Sequence, residues 1–143
     1  IDNQQLATHS TVRFDGPEGS LDQLQKAVAT KQSHCIFHGA IDVPKAAQRT
    51  NAVQLSRNLL LSDKARIDTK PQLQIIADDV RCSHGATVSE LQQEELFYLR
   101  SRGLNSDEAT SLLLAGYYQE ILSSLPVEGY RWGILDQLLA RVK

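Results

Sequence analysis

Cys35-Ile36-Phe37-His38-Gly39-Ala40-Ile41-Asp42-Val43 is the stretch from which the fold is read. Cys35, Phe37, Gly39, Ile41 and Val43 share one parity, whereas His34, His38 and Asp42 fall on the other. A strand sends alternate side chains to opposite faces, so this is an apolar face backed by a polar one. Similar short runs occur at Thr11-Val12-Arg13-Phe14, at Leu73-Gln74-Ile75-Ile76 and from Val80 to Val88. Gly16-Pro17, Val43-Pro44, Ser62-Asp63 and Lys70-Pro71 supply turn chemistry between them. Almost no helical pattern intervenes, which argues against βαβ units and leaves a sandwich or a β-solenoid. No tight repeat decides between the two.

The period changes after Val88. Ser89-Glu90-Leu91-Gln92 has the form of a capping box, predicting a helix from there to about Arg102, with Gly103 as a left-handed stop. Asn105-Ser106-Asp107-Glu108 reads as a second helix start, its acidic residues placed where the helix dipole favours them. Ala109, Leu112, Leu113, Gly116, Tyr117, Ile121 and Leu125 then keep helical spacing up to Pro126. A last helix carries Leu135, Leu138, Leu139 and Val142 on one stripe. The expected division is residues 1–88 as the β part and 89–143 as the helical part.

Composition narrows the function classes. The chain has 143 residues, 41% hydrophobic and 22% charged, ordinary values for one globular domain with an appendage. Fifteen basic against seventeen acidic side chains give a net charge of -2, which offers no general attraction to nucleic acid. No run approaches the ~20 apolar residues of a membrane span. The chain opens Ile1-Asp2-Asn3 with no charged-then-apolar leader and contains no Met, so a processed product or an excised domain is expected. Two cysteines are too few for a disulfide framework, and Cys35 and Cys82 read as free thiols in a reducing compartment.

The nucleotide-binding glycine motifs, C-x-x-C, H-E-x-x-H and G-x-S-x-G are all absent. Glu94-Glu95 reads as a solvated helix face. Cys82-Ser83-His84 remains. On a strand Cys82 and His84 share a face with Cα atoms about 6.5 Å apart, and thiolate and imidazole both suit iron or zinc. Two ligands do not complete a site, so another strand or a second chain must supply the rest. The competing reading puts both inside the protein, because Val80, Ala86 and Val88 share their parity. A Cys–His nucleophilic pair is a third reading, without an evident orienting group. In the upstream cluster Cys35 points away from His34 and His38, and those histidines stand roughly 13 Å apart along a strand, too far for one ion. Cys35 therefore reads as core and the histidines as surface.

Leu59-Leu60-Leu61-Ser62-Asp63, Ile67-Asp68-Thr69-Lys70-Pro71-Gln72-Leu73 and the run from Ala77 to Val88 resemble the SufB/SufD family of iron–sulfur assembly proteins. Leu96-Phe97-Tyr98-Leu99-Arg100-Ser101-Arg102-Gly103 and Phe37-His38-Gly39 fit the same likeness, which leans toward the SufD branch. The SufB branch has His-Glu-Ala-Thr where this chain has His84-Gly85-Ala86-Thr87, and a cysteine that the Leu59–Leu61 region lacks. The resemblance implies the last turns of a right-handed parallel β-helix, then a small C-terminal helical domain. It implies pairing with a SufB-like subunit, docking of a SufC-like ABC ATPase, and a transient iron–sulfur cluster shared with the partner. It makes Cys82 and His84 the candidate cluster or iron ligands, with no catalytic residue and no nucleotide bound directly. Bacterial cytoplasm or plastid stroma is the implied location. Exposed edges of a cut solenoid add the expectation of self-association, a homodimer for example, or of capping by some other contact. A metal- or thiol-dependent enzyme using Cys82 and His84 is the alternative from another class, for which the sequence supplies no third catalytic member.

Overall fold

The computed structural model describes residues 3–126 and 128–142, and the side chains among them apart from those of 128–130 and 132. Six strands come first: β1 (Gln5–Arg13), β2 (Ser20–Ala29), β3 (His34–Val43), β4 (Asn51–Leu60), β5 (Arg66–Ile75) and β6 (Arg81–Glu90). Three helices follow: α1 (Gln93–Ser101), α2 (Ser106–Leu122) and α3 (Glu128–Val142). The chain divides into two compact units, Ile1–Glu90 and Leu91–Lys143.

In the first unit the odd strands form one sheet, in the order β1-β3-β5, and the even strands another, β2-β4-β6. Every pairing is parallel, so no two sequence neighbours form a hairpin. Each odd–even pair of strands is one rung, and the chain climbs by stacking rungs. That topology removes the antiparallel sandwich from the choice and leaves a mainly β unit consistent with part of a β-helix. Equivalent residues on stacked strands recur at separations of 29 to 32, as for Gln5 with His34, Asn51 with Arg81, Ser20 with Asn51 and His34 with Arg66. The corners stack too. Glu18 and Arg49 are both left-handed, at φ 63° and 58°, and their side chains pair at 2.7 Å. The amide of Glu18 donates to the Gln48 carbonyl, and that of Arg49 to the Asp79 carbonyl.

The apolar core sits where the sheets meet at one end. Ile41, Val43, Ala47, Ala52 and Ala77 are buried together, flanked by Phe14, Leu21, Leu73, Val80 and Cys82. Fully burying a side chain such as Ile41 contributes about 1.5–3 kcal/mol. Phe37, Gly39, Ile41 and Val43 do point inward, as their alternation predicts. Beyond that cluster the interior is mixed: Ala29, Phe37, Leu59 and Ile67 are buried, and so are the polar Thr50, Gln54, Ser56 and Asn58.

Three local expectations need correction. Lys70-Pro71 is no turn but the middle of β5, an edge strand of its sheet, where proline is tolerated because one side of the strand has no partner. Ser89 caps no helix; it belongs to β6, paired with Leu59, and its hydroxyl donates to the Asn58 carbonyl. The first helix starts at Gln93 and has no side-chain cap. Strands β2 and β4 have no counterpart among the expected segments.

From the end of α1 onward the second unit behaves as its end signals predict. After α1, Gly103 adopts φ +99°, its amide donating to the Arg100 carbonyl and that of Leu104 to Leu99. These are the two bonds of a Schellman motif. Asn105 caps α2 in a reciprocal box: the Glu108 amide donates to Asn105 Oδ1 at 2.9 Å, and the Asn105 amide to Glu108 Oε2 at 2.8 Å. Ala109, Leu114, Leu122 and Leu135 are buried. Phe97, Tyr98 and Leu112 stay exposed, and Glu94, Glu95, Tyr98, Leu99, Leu112 and Leu113 line a groove. No described helix is long and apolar enough to cross a membrane.

Candidate functional site

In a parallel ladder, residues paired in register point to the same side of the sheet. Ala52 and Gln54 of β4 are fully buried, and they pair with Cys82 and His84 of β6. Both candidate ligands therefore lie on the inner face of β2-β4-β6, on its edge strand. Their environments differ. Cys82 packs partly buried against the apolar cluster, and loss of water pushes its thiol above the ordinary range, partly offset by a hydrogen bond with the Ala52 backbone. His84, two residues on, is exposed. The inner-face positions beyond it, Ala86 and Val88, are exposed as well. Among the described residues no third histidine, cysteine or carboxylate groups with this pair.

Behind His84 runs a file of polar side chains that sequence reasoning missed. Gln23, Gln54 and His84 occupy one register position on β2, β4 and β6. Gln54 Nε2 donates to Gln23 Oε1 at 2.8 Å, and Gln23 Nε2 donates to Ser10 Oγ on the facing sheet, also at 2.8 Å. Gln54 Oε1 is buried without a partner. A second polar group lies further along the strands: Asn58 Nδ2 and Thr69 Oγ1 both donate to Ser56 Oγ at 2.9 Å. The period-2 signal exists in Ala52, Gln54, Ser56 and Asn58, but amides and hydroxyls on one parity read as a solvent face. Only the register reveals them as interior.

The upstream cluster separates as its alternation implies. Cys35 faces inward, paired with Leu6 and Ile67, and burial raises its thiol. Both cysteines are free. On the outer face His34 Nε2 lies 2.7 Å from Asp68 Oδ2, with Arg66 Nε 3.1 Å from Oδ1. Those bonds, His34 first and Arg66 second, hold the Asp68 carboxyl below its usual range. His38 meets the His9 ring edge-on at 5.0 Å between centroids.

Residues 1–117 match the family model described as SUF system FeS cluster assembly, SufBD core domain. An iron–sulfur cluster assembly SufBD family protein of Synechocystis is 53% identical over 120 residues, covering 84% of this chain and 26% of the relative. The Arabidopsis thaliana chloroplastic protein ABCI7 is 41% identical over 127 residues, covering 88% and 27%. The Escherichia coli iron–sulfur cluster assembly protein SufD is 41% identical over 120 residues, covering 84% and 27%. The chain thus spans about a quarter of the length of these relatives. With a family model matched over most of its length and a two-sheet parallel coil ending in helices, this chain belongs to the SufBD core family of the SUF iron–sulfur cluster assembly system.

Proposed function

We propose that this chain is the C-terminal part of a SufD-like, non-catalytic subunit of the SUF scaffold. Its strands are the closing turns of a right-handed parallel β-helix, and its helices form a domain that docks a SufC-like ABC ATPase. The β part pairs with a SufB-like subunit, in bacterial cytoplasm or plastid stroma, and Cys82 and His84 hold iron or a nascent cluster in transit. The observation that carries this reading is a half-site on an edge: one thiol and one imidazole on the inner face of β6, with no third ligand type grouped beside them among the described residues. Iron or zinc held by thiolate and imidazole takes about four ligands. A partner continuing the sheet past β6 brings the remainder, and the site exists only in the pair.

The chemistry asked of the chain is modest. His84 is exposed and binds as a neutral imidazole, while Cys82 must lose its proton, which metal binding drives in a thiol that burial otherwise keeps protonated. The same burial weighs against a thiol-dependent enzyme, since the nucleophile there is the thiolate. On the helical unit, the groove between Tyr98 and Leu112, with Phe97 exposed nearby, is the surface offered to the ATPase. Its apolar floor and Glu94–Glu95 rim suit a partner presenting an apolar side chain ringed by basic ones.

The test uses the full-length parent co-expressed with its SufB-like and ATPase partners. His84→Ala should leave the ternary complex intact while bound iron and cluster absorption fall several-fold. Undiminished iron in an intact complex sinks the ligand assignment. Tyr98→Asp should separately abolish ATPase co-purification, and retention of the ATPase sinks the docking surface.

A further inference from the structure

We infer that Gln54 is a positioning residue for His84: its amide oxygen takes one imidazole N–H and so leaves the other ring nitrogen as the free lone pair. The starting point is the file Ser10–Gln23–Gln54–His84, in which every hydrogen bond present runs in one direction. Gln23 donates to Ser10, and Gln54 donates to Gln23. An amide that gives its N–H away from β6 holds its oxygen on the other side, and that oxygen is buried and unpartnered. The next register position carries an imidazole, the donor the file lacks. His84 is exposed in the adjacent register position, and the inference requires its ring to turn toward the interior so that an N–H meets the oxygen.

The opposite sheet shapes the place for this amide. Gly39 is buried, and a methyl added there would stand 2.9 Å from Gln54 Cδ, closer still to its Nε2, and 2.9 Å from Phe37 Cζ. Glycine at 39 therefore gives the Gln54 amide its room. An unpaired buried acceptor is unfavourable, and a neutral imidazole with one N–H hydrogen-bonded has its tautomer and ring orientation fixed. Gln54 thereby selects which nitrogen of His84 meets the metal. The metal part of this inference rests on His84 acting as a ligand; the tautomer part does not.

The experiment labels the full-length parent with 15N-histidine and follows the His84 ring nitrogens by NMR at about pH 8, above the ordinary imidazole range. The wild type should give one dominant tautomer with a slowly exchanging ring N–H. Gln54→Leu, which removes the acceptor, should lose that N–H signal and mix the tautomers. Gly39→Ala, which displaces the amide from the opposite sheet, should do the same, and it serves if Gln54→Leu fails to fold. Ferrous ion alone should bind about tenfold or more weakly to either variant. A protected ring N–H that persists unchanged in both variants overturns the inference, whatever His84 does with iron. Loss of the N–H in both, with iron content indifferent to His84→Ala, supports the positioning and overturns the ligand reading instead.

Discussion

Asp68 accepts from His34 and Arg66 on the outer face of the β unit, and both bonds hold its carboxyl below the usual range. A group whose folded pKa is depressed stabilises the fold above its unfolded value and loses that contribution as pH falls through the folded value. Asp68→Asn should therefore melt slightly below the wild type near neutral pH, and the gap should close once the pH drops beneath the ordinary carboxylate range. A gap independent of pH would mean that shape, and not charge, is what the variant loses. The effect is small because the group is exposed to solvent screening. The two thiols respond in the opposite sense. Burial raises both Cys35 and Cys82, so each should alkylate slowly at about pH 7 and speed up only above the usual thiol range. Rapid modification of Cys82 at neutral pH would expose a preformed thiolate and revive the enzyme reading.

Among the elements, the helix ends are the most local in origin. Gly103 at φ +99° and the Asn105–Glu108 box depend on residues within a few positions of each other. Gly103→Ala is expected to cost about 1–2 kcal/mol, since an L residue is strained in the left-handed region, and Asn105→Ala about 1 kcal/mol through the lost cap. Urea denaturation followed by helical ellipticity measures both, and an unchanged midpoint for either contradicts its assigned role. Because such signals are local, the Gly103 stop and the helix start at Asn105 were legible in the sequence, the reciprocal bonding of Asn105 with Glu108 only in the structure. Also legible was the inward parity of Phe37, Ile41 and Val43, whose outer neighbours include His38 and Asp42. β4 was illegible for the converse reason: Gln54, Ser56 and Asn58 are inside while Val53 and Leu55 are not fully buried, so the pattern points the wrong way. Polar interiors of this kind depend on partners such as Thr69 and Gln23, 13 and 31 residues away. Ser89 failed similarly, its box-like tetrapeptide being overridden by the ladder to Leu59. For the site, the shared face of Cys82 and His84 followed from alternation, whereas the buried amide behind them needed the register.

At the scale of the molecule, stacking rungs satisfies each strand only through the strand above or below. Among the described residues β6 ends the sheet β2-β4-β6 with one backbone edge unpaired, and Ala86 and Val88 on its inner face are exposed although their neighbours Ser56 and Asn58 are buried. An edge of that kind is a template for another strand, and apolar inner-face residues add a hydrophobic contact to the backbone bonds. The SufB-like partner is the proposed occupant in the full protein; in the 143-residue chain alone, a second copy is the available one. Sedimentation velocity of that chain should therefore give a dimer. Val88→Lys, which places an ammonium where the second sheet would pack, should weaken it by about tenfold or more, equivalent to about 1.4 kcal/mol. His84→Ala, on the same face but without added charge, should dimerise as the wild type does. In the full-length parent Val88→Lys should weaken pairing with the SufB-like subunit too, and bound iron should fall with the pairing. A Val88→Lys chain that still dimerises would move self-association away from β6. Normal partner pairing in the full-length variant would remove the edge strand from the subunit interface, and with it the reason for calling Cys82 and His84 half of a shared site.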